Sequence, residues 1–186
     1  MSKIKLDNVR LSFPALFEAT FFKGKDDGKS KPKFHATFLI HKSDTKTKDI
    51  LDKAMQEICT DKKLNFNKLK TSDMLCVKDG DKFMTDDGEV YQGYADHWVL
   101  KTSNSKRPTV INKDKSPLVE DDDVIFAGCY VNALVTFWGQ DNDYGKRVNC
   151  NIVGVQFSKG DREHDQFGDT DGVADVENDF DDIDDI

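Results

Sequence analysis

At 186 residues with 37% hydrophobic side chains, the chain is long enough for one domain whose core needs no disulfide or metal, and no run approaches the ~18 apolar residues of a membrane span. Its net charge of −8 is unevenly placed: residues 161–186 hold 12 acidic residues and one basic residue, net −11, which leaves residues 1–160 with 26 basic and 23 acidic residues, net +3. This split excludes a uniformly acidic body and predicts a folded domain over residues 1–160 followed by a disordered acidic tail over residues 161–186.

In chain order, Ile4 to Phe13 changes apolar phase between Leu6 and Val9, which predicts a strand with a bulge near Asp7-Asn8, closed by Pro14. Residues 17–33 read as a long basic loop. Phe34, Ala36, Phe38 and Ile40 then share one face of a strand, opposed by Lys33, His35 and Thr37. A helix begins at Ser43 or Asp44, with Ile50, Leu51, Ala54, Met55, Ile58 and Cys59 at amphipathic spacing. Residues 61–90 are lysine-rich and then turn-rich, with Asp79-Gly80-Asp81 and Asp86-Asp87-Gly88 flanking a short strand at Lys82–Met84. Further strands are expected at Tyr94–Lys101 and Thr109–Ile111. A long hairpin follows, pairing Val124–Trp138 with Lys146–Phe157 across the turn at Gln140–Gly145.

Met1-Ser-Lys-Ile-Lys5 lacks the apolar run of a secretory signal. Cys59, Cys76, Cys129 and Cys150 form no C-x-x-C pair and are expected to be buried thiols in a reducing cytosol.

The two faces of the hairpin differ in kind. Ile125, Ala127, Cys129, Val131, Ala133, Val135 and Phe137 form a continuous apolar phase, extended across the turn by Val148, Cys150 and Ile152, as a core face requires. The opposite phase mixes Phe126, Gly128, Tyr130, Asn132, Leu134, Thr136 and Trp138 with Arg147, Asn149 and Asn151. An outward face of rings, a guanidinium and amides offers what single-stranded nucleic acid needs: surfaces for bases to stack on, charge for phosphates, and hydrogen bonds. The candidate nucleic-acid-binding residues are therefore Phe126, Tyr130, Trp138, Arg147 and Asn149. Lys33, Lys106, Arg107 and Lys146, with Lys23, Lys25 and Lys31 of the long loop, are spread widely in sequence, and a barrel could gather some of them along one groove.

Catalytic chemistry has little foothold. Asp79, Asp81, Asp86, Asp87 and Glu89 resemble a two-metal carboxylate cluster, but each Asp pair abuts a glycine as tight reversals prefer, and no base accompanies them. A calcium loop fails because Phe83 stands where a ligand is required. His35, His41, His97 and His164 have no zinc spacing. The expectation is a protein without catalytic residues, metal or cofactor.

The segments Leu11-Ser-Phe-Pro-Ala-Leu-Phe-Glu18, Phe34-His-Ala-Thr-Phe-Leu-Ile-His-Lys42, Asp79-Gly-Asp81, Tyr91-Gln-Gly-Tyr94, Arg107-Pro108 and Gly128-Cys-Tyr-Val-Asn132 through Val155-Gln-Phe157 resemble, in order and spacing, the single-stranded DNA-binding proteins of tailed bacteriophages. The resemblance implies a mainly β OB-fold, a five-stranded Greek-key barrel with added elements and one internal helix. It further implies a protein that coats single strands during phage DNA replication or recombination in the bacterial host cytoplasm. The acidic tail is similar to those that recruit partner enzymes and compete with DNA. In this chain Val176, Phe180, Ile183 and Ile186 recur at intervals of 4, 3 and 3 residues among acids, so Phe180, Asp181, Asp182, Ile183, Asp184, Asp185 and Ile186 are the candidate partner-binding tail. Homo-oligomers are a further expected assembly. The alternatives are a strand-annealing recombination protein and an acidic DNA mimic, and the mimic fits a net-basic body poorly.

Overall fold

A computed structural model describes residues 2–21, 28 and 30–168. Lys23, Lys25 and the tail residues 169–186, including Phe180 to Ile186, lie outside the described residues. The described strands are β1 (Ile4–Thr20), β2 (Lys33–His41), β3 (Val77–Asp79), β4 (His97–Asn104), β5 (Thr109–Ile111), β6 (Tyr130–Asn142) and β7 (Gly145–Lys159). The helices are α1 (Thr45–Lys62), α2 (Phe66–Thr71) and α3 (Arg162–Asp165).

β4, β2, β1, β6 and β7 are successive neighbours, and a parallel pairing of Ser103 with Asn151 returns β7 to β4. Five strands thus close into a barrel. Taken in chain order, the circuit runs first, second, third, fifth, fourth and back to the first, which is the Greek key of an OB-fold. β3 adds to β4, and β5 runs parallel to β7, both beside the closing seam. Below the Ser103–Asn151 contact the chain at 74–76 fills the gap, where the Lys101 amide donates to the Cys76 carbonyl at 3.0 Å and the Val148 amide to the Met74 carbonyl at 3.1 Å.

The barrel interior follows from period-two burial. Leu6, Val9 and Leu11 of β1, Ala36, Phe38 and Ile40 of β2, Val131, Ala133, Val135 and Phe137 of β6, and Val148, Cys150 and Ile152 of β7 are all buried in one cluster. α1 plugs one end, adding Leu51, Met55 and Cys59 to that cluster. Its start is set by Asp44, whose carboxylate accepts from the Thr47 amide at 3.1 Å. Its close seat on β6 depends on Gly139, where an added Cβ would stand 2.8 Å from the Lys62 side chain. All four cysteines are buried and free.

Several boundaries differ from the sequence expectation. β1 does not stop at Pro14 but runs to Thr20, because the register with β2 shifts between Ser12 and Ala15, where Phe13 takes φ 46°, and a proline placed at an irregularity sacrifices no ladder bond. The expected bulge near Asp7-Asn8 is present: the register with β6 shifts between Leu6 and Val9, and Asn8 has φ 53°. The hairpin strand β6 begins at Tyr130 rather than Val124 and continues to Asn142. No strand forms at 82–84: Lys82 ends a 3-10 turn begun at Gly80 and Met84 makes an isolated bridge to Val90, while α2, capped by Asn65, is an element the sequence reading lacks.

A second, smaller cluster forms on the outer surface of the barrel. Leu39 and Val99, paired across β2 and β4, are covered by Tyr94 and Phe167, with Phe13, Phe83, Val90, Tyr91 and Ala127 around them. The Tyr94 hydroxyl meets the buried Ser12 hydroxyl at 2.9 Å. Phe167 is only 6% exposed, its amide donates to the Ala127 carbonyl at 3.0 Å, and the Arg10 guanidinium lies 4.6 Å from its ring centroid. Arg10 also donates to the Gly128 carbonyl at 3.0 Å and the Asp165 carbonyl at 2.8 Å. The packed body therefore runs past Gly160 to Phe167, as a strap of residues 161–168.

Candidate nucleic-acid interface

One lateral row crosses every barrel strand. Ala15 of β1 pairs with His35 of β2, His35 with Ser103 of β4, Ser103 with Asn151 of β7, and Asn151 with Thr136 of β6. Cross-strand partners share a face. The sequence neighbours Ala36, Thr102, Cys150, Ile152, Val135 and Phe137 are buried, so His35, Ser103, Asn151 and Thr136 stand on the outward phase. The lower part of the β2–β4 face lies under the second cluster; beyond it Ala15, His35, Ser103 and Asn151 of this row are half-buried, and Thr136 is buried.

Trp138 stands at the hairpin end of the row. Its indole N–H donates to Asn151 Oδ1 at 3.1 Å, and Asn149, its cross-strand partner, donates to Gln140 Oε1 at 3.0 Å. These bonds fix the ring plane and the two amides before any ligand arrives. The hairpin tip beyond them exposes Lys146 and Arg147, with Asp141 opposite Lys146, and Tyr144 is 87% exposed at the turn. At the other end Phe34 pairs with Asn104, which sets exposed Lys33 beside the turn carrying Lys106 and Arg107. The Arg107 guanidinium lies 5.9 Å from the Phe17 ring centroid. A strip of hydroxyl, imidazole, amide and indole groups thus has cations at both ends. Within it, burial holds the His35 ring below the ordinary histidine pKa, Lys33 acts in the same direction, and a backbone hydrogen bond with Thr20 opposes them.

Phe126 does not belong to this surface. It is 6% exposed, precedes β6, and has the Arg162 guanidinium 4.6 Å from its ring centroid. The alternation that placed it outward fails because Gly128, at φ 102°, breaks the strand before it. Tyr130 is half-buried and eight residues from Trp138, about 27 Å along the strand. Its ring lies 5.6 Å from the Arg10 guanidinium and 5.1 Å from the Lys159 ammonium, so it serves the clasp of the strap and does not adjoin the indole. His35 and Ser103 were not singled out from sequence; Asn151 was read onto the outward phase without being placed among the candidate residues. Ser103 was lost because the strand was ended at Lys101, although Thr102 and Asn104 continue the alternation. Asp79 and Asp81 do turn work: the Lys42 ammonium bonds both, at 2.8 and 2.6 Å, and holds both carboxyls below their ordinary range.

A closed five-stranded Greek-key barrel carrying a polar, cation-flanked outer strip is the architecture of OB-fold proteins, whose barrels bind oligonucleotides and oligosaccharides. Residues 2–185 match the family described as Enterobacter phage Enc34, ssDNA-binding protein, and the chain belongs to that family. It is 40% identical over 183 residues, 97% of this chain and 94% of the other, to "Putative protein p50" of Acyrthosiphon pisum secondary endosymbiont phage 1. Among solved structures, it superposes on the C-terminally truncated single-stranded DNA-binding protein of bacteriophage Enc34 with a TM-score of 0.72, at 29% identity over 86% of each chain. The Enc34 protein in complex with ssDNA gives a TM-score of 0.69, at 30% identity over 89% of each chain. The gp2.5 single-stranded DNA-binding protein of bacteriophage T7, 8% identical over 91% of this chain and 99% of that one, shares the fold with a TM-score of 0.55.

Proposed function

We propose that this protein binds single-stranded DNA along the strip running from Lys33, Lys106 and Arg107, past His35, Ser103 and Asn151, to Trp138, Asn149, Lys146 and Arg147. The observation that carries this reading is the family relative solved with ssDNA, matched over 89% of each chain. The strip supplies the chemistry. Its end cations neutralise phosphates and release counterions, the indole offers a stacking face, and the oriented amides hydrogen-bond to whichever base edge is presented. Nothing in this set reads one base, so binding is largely independent of sequence. The role is non-catalytic.

Coating of strands during phage DNA replication or recombination, in the cytoplasm of the bacterial host, follows from that binding. Strand annealing is a second activity compatible with it. The acidic residues 169–186 recruit replication or recombination proteins through Phe180, Ile183 and Ile186 and their flanking aspartates. Among the described residues no helix is long and apolar enough to cross a membrane. The test is an electrophoretic titration of matched single- and double-stranded oligonucleotides at two salt concentrations. Preferential single-strand binding that weakens with salt is expected; no single-strand binding at either concentration overturns the reading.

A further inference from the structure

His35 occupies the middle of the lateral row, between Ala15 and Ser103, with Lys33 two residues away at the cationic end. It is half-buried and outward-facing, and no described carboxylate acts on it. Its charged surroundings among the described residues are Lys33 on β2, Glu18 near the end of β1, Lys101 two residues before Ser103 on β4, and Lys106 and Arg107 in the turn beyond β4. In the free protein the neutral ring is therefore favoured, since burial and a neighbouring ammonium both disfavour a second positive charge. A phosphate laid across the row changes that balance, adding a negative charge beside a ring on which no described carboxylate acts and whose backbone hydrogen bond with Thr20 is outweighed by burial.

We infer that His35 is a phosphate-contacting residue of the single-strand site and that it takes up a proton when DNA binds. This rests on the proposed function above and adds to it a linkage between binding and pH. The sign is fixed by the two states. If the ring's pKa is higher in the complex than in the free protein, affinity is greatest below the free-protein value, proton uptake is greatest between the two values, and affinity is lost as pH rises through the value in the complex. One linked proton limits the gain to about tenfold per pH unit. The window, from about pH 6 to about pH 8, lies where histidine titrates and well above the carboxylates of the tail.

The experiment is isothermal titration of the full chain with oligothymidine, at constant salt, in two buffers of different ionisation enthalpy and at several pH values. Wild type is expected to take up a fraction of a proton per bound oligonucleotide near pH 7, with affinity rising several-fold from pH 8 to pH 6. His35→Gln keeps a polar side chain of similar reach and is expected to lose that uptake and flatten the profile, so that its deficit against wild type is largest at pH 6 and smallest at pH 8. His41→Gln, on the same strand near the α1 end, is expected to behave as wild type. Wild type that binds oligothymidine with no proton uptake, or His35→Gln with the uptake undiminished, overturns the inference and leaves single-strand binding standing. No binding at any pH overturns the proposed function instead.

Discussion

Trp138 is the side chain on which a stacking contribution can be read most directly, because its hydrogen bond to Asn151 holds the ring in one orientation. Trp138→Ala is expected to cost about 1 to 3 kcal/mol of single-strand affinity without changing the salt slope, since a lost stack releases no counterion. Oligothymidine should quench its emission. Trp98, flanked by the Lys42 and Lys48 ammonium groups at 5.0 and 4.5 Å, sits near α1 and provides the residual signal, so titration of a Trp98→Phe variant isolates the site ring. Arg147→Ala makes the complementary change: uniform weakening for all base compositions and a salt slope smaller by about 0.7. The outward placement of Trp138, Asn149 and Arg147 was legible from sequence because strand alternation is local and the hairpin turn set its origin. Phe126 was misplaced by the same rule, which holds only while the strand lasts, and the chain leaves strand geometry at Gly128.

Among the elements, the barrel strands and α1 were readable because each carries its own signal, period-two burial in one case and an Asp44 cap with 3.6-residue spacing in the other. In segment 79–96 only the two turns were readable, and the strap 161–168 was not, since the rest of their order comes from contacts distant in sequence. The two meet at Phe167, whose burial against Leu39, Tyr94 and Val99 makes the strap part of the folded unit. Phe167→Ala is expected to destabilise the protein by about 3 kcal/mol, as for other large-to-small changes in a packed cluster, measured by urea unfolding. Lys42 serves the same region by joining Asp79 and Asp81. Because it depresses both carboxyl pKa values in the folded state, the stabilisation exists above the ordinary carboxylate pKa and is lost as pH falls through the lowered values. Lys42→Met should therefore melt below wild type at pH 7, and the gap should close on acidification below about pH 4.

For the molecule as a whole, charge partition separates a basic body from an acidic arm at Asp161, but formal charge carries no information about the aromatic packing that continues to Phe167. Two truncations distinguish the parts. Removing residues 169–186 is expected to leave the urea midpoint unchanged and to tighten single-strand binding, most at low salt, because an acidic arm competes with phosphate until ions screen it. Removing 161–186 is expected to lower the midpoint as well. If the shorter deletion bound oligothymidine no more tightly at any salt, the arm would have no competitive role. The strap also fixes where the arm begins: the Gly168 amide is tied to Gln92 Oε1 at 3.1 Å, beside the covered part of the β2–β4 face. The 18 residues from there to Ile186 span at most about 60 Å. A partner that grasped the far end would thus be held within that reach of one defined point on the body.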